Sequence, residues 1–251
     1  MSLLRLILKA AAPLPDIEKN ERFLFIGPHP DDIEIGAGAT AAKLAAAGKS
    51  VCFLICLDGR YGSETIPPEE LIEIRKAEAV SSAKMLGVSD VRFLNLSDGG
   101  FYDDAELIKG IAQTVGDFKP DTVFAPDPCV TNECHADHLN VGNAARRIAY
   151  FAPYGGIMCE YGAESAPVNA LCCYMTAKPN KYVKTSGFLN RQLDAIFKCH
   201  QSQFSGDSGS TVKLYLKLRS ALFGLHRLSG SAEGFRVLGT VHMHCLPEAG
   251  N

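Results

Sequence analysis

Gly27-Pro28-His29-Pro30-Asp31-Asp32-Ile33-Glu34-Ile35-Gly36 decides how the rest of the chain is read. It follows Arg22-Phe23-Leu24-Phe25-Ile26, an apolar run with the character of a buried strand. Two prolines stiffen the backbone on either side of His29, and two adjacent carboxylates follow. A histidine and two acids gathered at a strand exit are costly unless a cation draws them together. The stretch therefore reads as one half of a metal site, and the remainder of the sequence must supply the other.

The length of 251 residues suits one α/β domain, taken as residues 1–251 with 1–20 as an N-terminal extension. A formal net charge of −3 gives no reason to expect nucleic acid or an anionic membrane surface as partner. The nine cysteines are odd in number, scattered, and form no CxxC pair, which implies reduced thiols and a cytoplasmic location. Leu3 to Ala12 is apolar but short, and Arg5 and Lys9 interrupt it. It reads as an amphipathic helix covering an edge or a partner subunit rather than as a leader, and it leaves self-association open. No segment offers the ~20 apolar residues of a membrane span.

Strand and helix alternate through four rounds. A small-residue helix from Ile35 to Ala47 ends at Gly48, and Val51–Leu57 is a strand apolar on both faces. A loop, Asp58 to Thr65, precedes a helix opened by Pro67-Pro68-Glu69-Glu70 and closed by Leu86-Gly87. Val91–Leu96 is the third strand; Leu107, Ile108, Ile111 and Val115 mark the third helix; Asp121–Pro126 is the fourth strand. The loop Asp127–Cys134 leads into a helix running through Ala149. Beyond Pro153 the expected elements are a strand at Leu171–Met175, helices near Phe188–Lys198 and Leu214–Phe223, and a closing strand Phe235–Met243. The fold class is α/β: a Rossmann-like, mostly parallel sheet with helices on both faces and an irregular C-terminal third.

His29-x-x-Asp32 and His135-x-x-His138 each fall just after a strand. In open α/β sheets, ligands collect beyond the carboxyl ends of the strands, where strand order reverses. With strand order 3-2-1-4, the first and fourth strands are neighbours and both loops share one crevice. Two imidazoles, one carboxylate and an open position form a common catalytic zinc sphere. The same donors suit iron(II) or another divalent metal.

Pro28-His29-Pro30-Asp31-Asp32 followed by His135-Ala136-Asp137-His138 resembles the PIG-L/LmbE family of zinc-dependent N-acetyl-sugar deacetylases. Arg75-Lys76-Ala77-Glu78, Leu86-Gly87-Val88, Asp98-Gly99-Gly100, His200-Gln201-Ser202-Gln203 and Glu233-Gly234-Phe235-Arg236 add weaker matches in the same order. The resemblance implies that His29, Asp32 and His138 hold Zn2+ and that Asp31 is the general base. It implies removal of an acetyl group from an N-acetylglucosamine-type amide on a small sugar conjugate. His135, if protonated, would donate to the developing oxyanion. Asp137 would orient an imidazole, or else serve only as a helix N-terminal acid. Arg75 and Asp98 are carried over as substrate residues, against a solvated helix arginine and a turn former. Arg60 is a weaker candidate. His200 would line the site, and His242 and His244 would share one face of the last strand as surface groups.

Two rivals stand beside this reading. Gly36-Ala37-Gly38-Ala39-Thr40-Ala41 matches the dinucleotide fingerprint G-x-G-x-x-A, with Asp58 at roughly the expected 20-residue distance. That fingerprint belongs in the turn leaving the first strand, whereas His29 to Glu34 intervene here, so the glycines fit close helix–sheet packing better. A non-haem iron oxygenase would use the same two His and one carboxylate. Those enzymes resemble β-barrels, and this chain alternates strand with helix.

Overall fold

The computed structural model describes residues 7–8, 10–205, 207–244 and 246. Strand β1 (Arg22–Gly27) lies in the sheet interior, and its alternate side chains are apolar on both faces. Phe23 and Phe25 enter one buried cluster, and Leu24 and Ile26 enter another on the opposite face. It pairs in parallel with β2 (Ser50–Leu57) on one side and β4 (Thr122–Pro126) on the other. Between β1 and β2 runs α1 (Asp32–Ala46); α2 (Pro68–Leu86) leads to β3 (Asp90–Leu96), and α3 (Asp104–Phe118) to β4. Gly87, at φ 90°, closes α2, and the Asp103 carboxylate caps α3 by accepting from the Ala105 N–H at 2.6 Å.

Helices α4 (Ala136–Phe151) and α5 (Gly155–Glu160) precede β5 (Ala170–Tyr174), and β6 (Lys181–Lys184) follows. Next come α6 (Leu189–Asp194), a π-helical turn at Ala195–Cys199, α7 (Gln201–Phe204), α8 (Asp207–Leu225) and β7 (Ala232–Gly239). The seven strands form one sheet in the order β3-β2-β1-β4-β5-β7-β6, with β7 antiparallel to both neighbours. Leu107, Ile111, Val115, Val141 and Ile148 of α3 and α4 fill one face. Ile33, Ala37, Ala41, Ala79, Ala83 and Leu86 of α1 and α2 fill the other, over the stacked rings of Phe25 and Phe124 at 4.3 Å. The order reverses between β1 and β4, so their carboxyl ends frame the crevice.

The expected order 3-2-1-4 is present. Three local readings change. Helix α1 begins at Asp32, so Asp32 is itself in the first helical turn. The last strand stops at Gly239 and the chain turns, so His242 and His244 do not share a strand face. His242 Nδ1 instead accepts from the Gly239 N–H at 3.1 Å, and Nε2 lies 3.0 Å from the Ala12 carbonyl. Strand β6 escaped sequence reading because Lys-Tyr-Val-Lys is a short, charged edge strand without an apolar run. Of the expected helix over Leu3–Ala12, residues 7–8 and 10–11 are helical, and residues 3–6 and 9 lie outside the described residues.

The glycines of α1 are packing glycines. A Cβ on Gly36 would lie 2.2 Å from Tyr174 Cδ2, and one on Gly38 would lie 3.1 Å from Gln192 Cγ. Tyr174 cannot withdraw: it is fully buried and donates its hydroxyl to the Ile26 carbonyl at 2.8 Å. Asp58 is held by Arg60 at 2.6 Å. The dinucleotide reading of Gly36, Gly38 and Asp58 thereby loses its footing. Gly36→Ala should lower stability by about 1–3 kcal/mol through overpacking, read as a lower denaturation midpoint in urea.

Candidate active site

The turn leaving β1 folds back on itself. The Asp32 carboxylate accepts from the His29 backbone N–H at 2.9 Å, and the same oxygen lies 3.2 Å from His29 Nδ1. The first turn of α4 brings His138 to the other side, with Nε2 3.4 Å from Asp32 Oδ1. One carboxylate thus faces one nitrogen of each imidazole. The second nitrogen of each ring is engaged elsewhere: His29 Nε2 lies 3.0 Å from Asp137, and His138 Nδ1 lies 3.0 Å from Glu133. Metal-bound histidines commonly present their far nitrogen to an outer carboxylate in this way.

Asp137 is fully buried. Its carboxylate accepts from the Gly99 N–H at 2.7 Å and the Gly100 N–H at 2.9 Å, in the turn after β3. Both glycines have positive φ, 72° and 81°, which lets consecutive amides converge on one anion. The imidazole that Asp137 holds is therefore chiefly that of His29; His135 Nδ1 is 3.8 Å away. His135 is half-exposed at the mouth, stacked on His138 at 4.9 Å.

Asp31 occupies a backbone conformation costly for a residue with a side chain, at φ 125°. Its carboxylate meets Arg75 Nη2 at 3.1 Å, and the guanidinium also donates to the carbonyls of Pro30 at 2.8 Å and Gly59 at 3.2 Å. Arg75 is only 4% exposed, so it is not a solvated helix arginine. Gly59 and Gly62 close over it: a Cβ on either would lie 2.5 or 2.6 Å from Arg75 Nη1. Asp98 is buried and accepts from the Tyr61 N–H at 3.3 Å. Arg60 turns to Asp58 and lies outside the cluster.

The charges divide the two adjacent aspartates. Burial raises the Asp31 carboxyl, with Arg75 opposing and Asp32 reinforcing the shift. Burial works against charge on Asp32 too, but hydrogen bonds from His138 and His29 outweigh it and hold that group well below the usual carboxylate range. For His29, burial is overcome by Asp137 and Asp32, which push it up to about 10. His138, partly buried and facing Asp32, rises to about 9. Burial and its two imidazole neighbours pull His135 down.

Donor atoms of His29, Asp32 and His138 lie within 4.8 Å of one another. A second grouping, His29, His135 and Asp137, meets the same distance, but the Asp137 oxygens are already committed to two backbone N–H groups. The first set fits a divalent ion, which requires both imidazoles neutral and so displaces protons on binding. Sequence reading passed over Glu133, which sits on an irregular loop where no periodicity marks it. It also missed the buried pair of His200 and Glu34, 3.4 Å apart, behind Asp31.

A doubly wound sheet with a His/Asp/His pocket at its reversal point is a plan of metal-dependent hydrolases. The chain belongs to the PIG-L family, described as GlcNAc-PI de-N-acetylase, which matches residues 24–149. The diacetylchitobiose deacetylase of Thermococcus kodakarensis is 31% identical over 98% of this chain and 92% of its own. A 1D-myo-inositol 2-acetamido-2-deoxy-alpha-D-glucopyranoside deacetylase of Kineococcus radiotolerans is 39% identical over 47% of this chain and 35% of its own. The structure of N,N'-diacetylchitobiose deacetylase from Pyrococcus horikoshii superimposes with a TM-score of 0.88 at 28% identity, covering 98% of this chain and 97% of the other. The chain is an N-deacetylase of this family. Among the described residues, no helix is long and apolar enough to cross a membrane.

Glu133→Gln keeps the hydrogen bond to His138 but removes its charge. Metal affinity should fall by about 10–100-fold, measured by competition with a chromogenic chelator.

Proposed function

We propose that the chain hydrolyses the acetamide of an N-acetylglucosamine unit in a small sugar conjugate, releasing acetate and a free amine. His29, Asp32 and His138 would hold the ion, zinc in the first instance, with iron(II) suited to the same donors. The observation that carries the reading is Asp31, a buried carboxylate beside the donor set that is itself committed to no donor role. When bound, the ion supplies Lewis acidity toward water and the amide carbonyl.

Asp31 takes the proton of the attacking water, aided by a pKa that burial has raised toward the working range of a general base. Arg75 fixes the orientation of that carboxylate, so we assign it to positioning Asp31 rather than to holding sugar. The mouth-facing His135 offers an N–H to the carbonyl oxygen as negative charge develops there, an interaction strongest in the transition state. Asp31 then returns its proton to the leaving nitrogen as the C–N bond breaks. Asp137 acts through His29, whose ring it orients. Asp98 stands beside the Gly99-Gly100 turn, on the side we assign to the sugar. The near-full-length match to a diacetylchitobiose deacetylase supports a short N-acetylglucosamine oligosaccharide as substrate. The eight free thiols among the described residues fit a cytoplasmic setting.

The test is free-amine release from N,N'-diacetylchitobiose, abolished by chelation and restored by zinc; the absence of release from any N-acetyl sugar in a panel would sink the reading. Asp31→Asn should retain metal while turnover drops about 10²–10⁴-fold, so near-normal turnover in that variant removes Asp31 from the mechanism. For Arg75→Gln a lower kcat with little change in KM is expected. A raised KM with kcat preserved would return Arg75 to substrate binding.

A further inference from the structure

A second concave site lies away from the metal donors, between α4, β5 and β7. It is a cavity of about 380 Å³ whose lining includes Asn143, Arg146, Arg147, Tyr150, Arg236 and His242. Asn143, Arg146, Arg147 and Tyr150 are spaced i, i+3, i+4 and i+7, so they form one stripe of α4. It is the outward stripe of α4, opposite the Val141, Ala144, Ala145 and Ile148 face that packs on the sheet. Here the stripe carries two guanidinium groups, and Arg236 adds a third from β7.

Compensation is incomplete. Arg236 pairs with Asp127 at 2.7 Å, and that carboxylate is also taken by Thr176 at 2.6 Å and the Cys129 N–H at 3.1 Å. Arg146 has the Cys129 thiol at 3.4 Å, a weak acceptor that neutralises nothing. Arg147 lies over the Tyr161 ring at 5.8 Å. Neither Arg146 nor Arg147 has a carboxylate partner among the described residues. Arg236 is only 8% exposed, and its buried Nε has no hydrogen-bond partner. Two guanidinium charges therefore stand in excess at one cavity, together with an unsatisfied buried N–H and the Asn143 amide.

We propose that this pocket binds a small dianion of the phosphomonoester class. Guanidinium groups match phosphate oxygens in geometry as well as charge, and the cavity exceeds the size of a phosphate group, leaving room for the organic part of an ester. The pocket shares no lining residue with the metal donors. Both Asp127 and Cys129 belong to the loop that also carries Glu133 and His135, so a ligand that draws on Arg146 and Arg236 pulls at the segment supporting His138.

Calorimetric titration of the metal-loaded chain with inorganic phosphate and, separately, glycerol 3-phosphate, at fixed ionic strength, tests this. Saturable one-site binding is expected, at least about tenfold weaker in Arg146→Gln and in Arg147→Gln, as loss of a charge-assisted contact implies. Asp32→Asn, which removes a metal donor, should leave the binding in place. Equal affinity for the two probes identifies free phosphate as sufficient; tighter binding of the ester shows that the remaining cavity is used. The proposal is overturned if neither probe binds, if both arginine variants bind as the parent does, or if Asp32→Asn abolishes binding.

Discussion

The site depends on one buried carboxylate. Asp137 accepts two N–H groups from the turn after β3 and faces the His29 ring from the turn after β1, while its own backbone belongs to the helix that follows β4. Three strand ends are thus tied through a single anion. An ionised carboxylate with no exposure survives only when its lone pairs are filled, and here backbone amides and an imidazole fill them. The arrangement of the candidate donors follows from this knot: with His29 oriented, Asp32 can span from it to His138, and Glu133 fixes His138 from behind.

The adjacent aspartates show how environment assigns chemistry. Asp32 enters the first helical turn and is surrounded by imidazoles; Asp31, one residue earlier, is turned by its positive φ toward Arg75. A backbone conformation of this kind costs of order 1–3 kcal/mol. The arginine that holds Asp31 is itself confined by two glycines that leave no space for a side chain. The chain accepts local strain and close packing where two like charges must be kept apart in direction while remaining next to each other in sequence.

Much of this was legible in the sequence because the signals were local. The apolar run before Gly27 and the alternation of strand with helix gave the parallel sheet, and a histidine and two acids at a strand exit drew attention to His29 and Asp32. The pairing with His138 needed only a neighbouring β4. What escaped reading is made of contacts without a local signature. Glu133 touches His138 across a loop, and Gly99 and Gly100 act through backbone amides, to which side-chain identity is silent beyond permitting positive φ. Arg75 is spaced like any surface helix arginine, and only the fold of the 59–62 loop over it makes it buried. His242 lay in an alternating pattern that resembled a strand until the turn after Gly239 redirected it.

The order in which these parts become available during synthesis carries a further consequence. Asp31 and Asp32 are translated about a hundred residues before His138, and β1 acquires β4 as a neighbour only after β2 and β3 have been made. Until then the two carboxylates have no imidazole beyond His29 to offset them, and the N-terminal half presents a crevice without its second wall. The three side chains of the candidate donor set can come together only once the β1–β4 pairing, the longest-range strand pairing around the site, has closed. Chain connectivity thus makes the gathering of His29, Asp32 and His138 a consequence of completing the sheet.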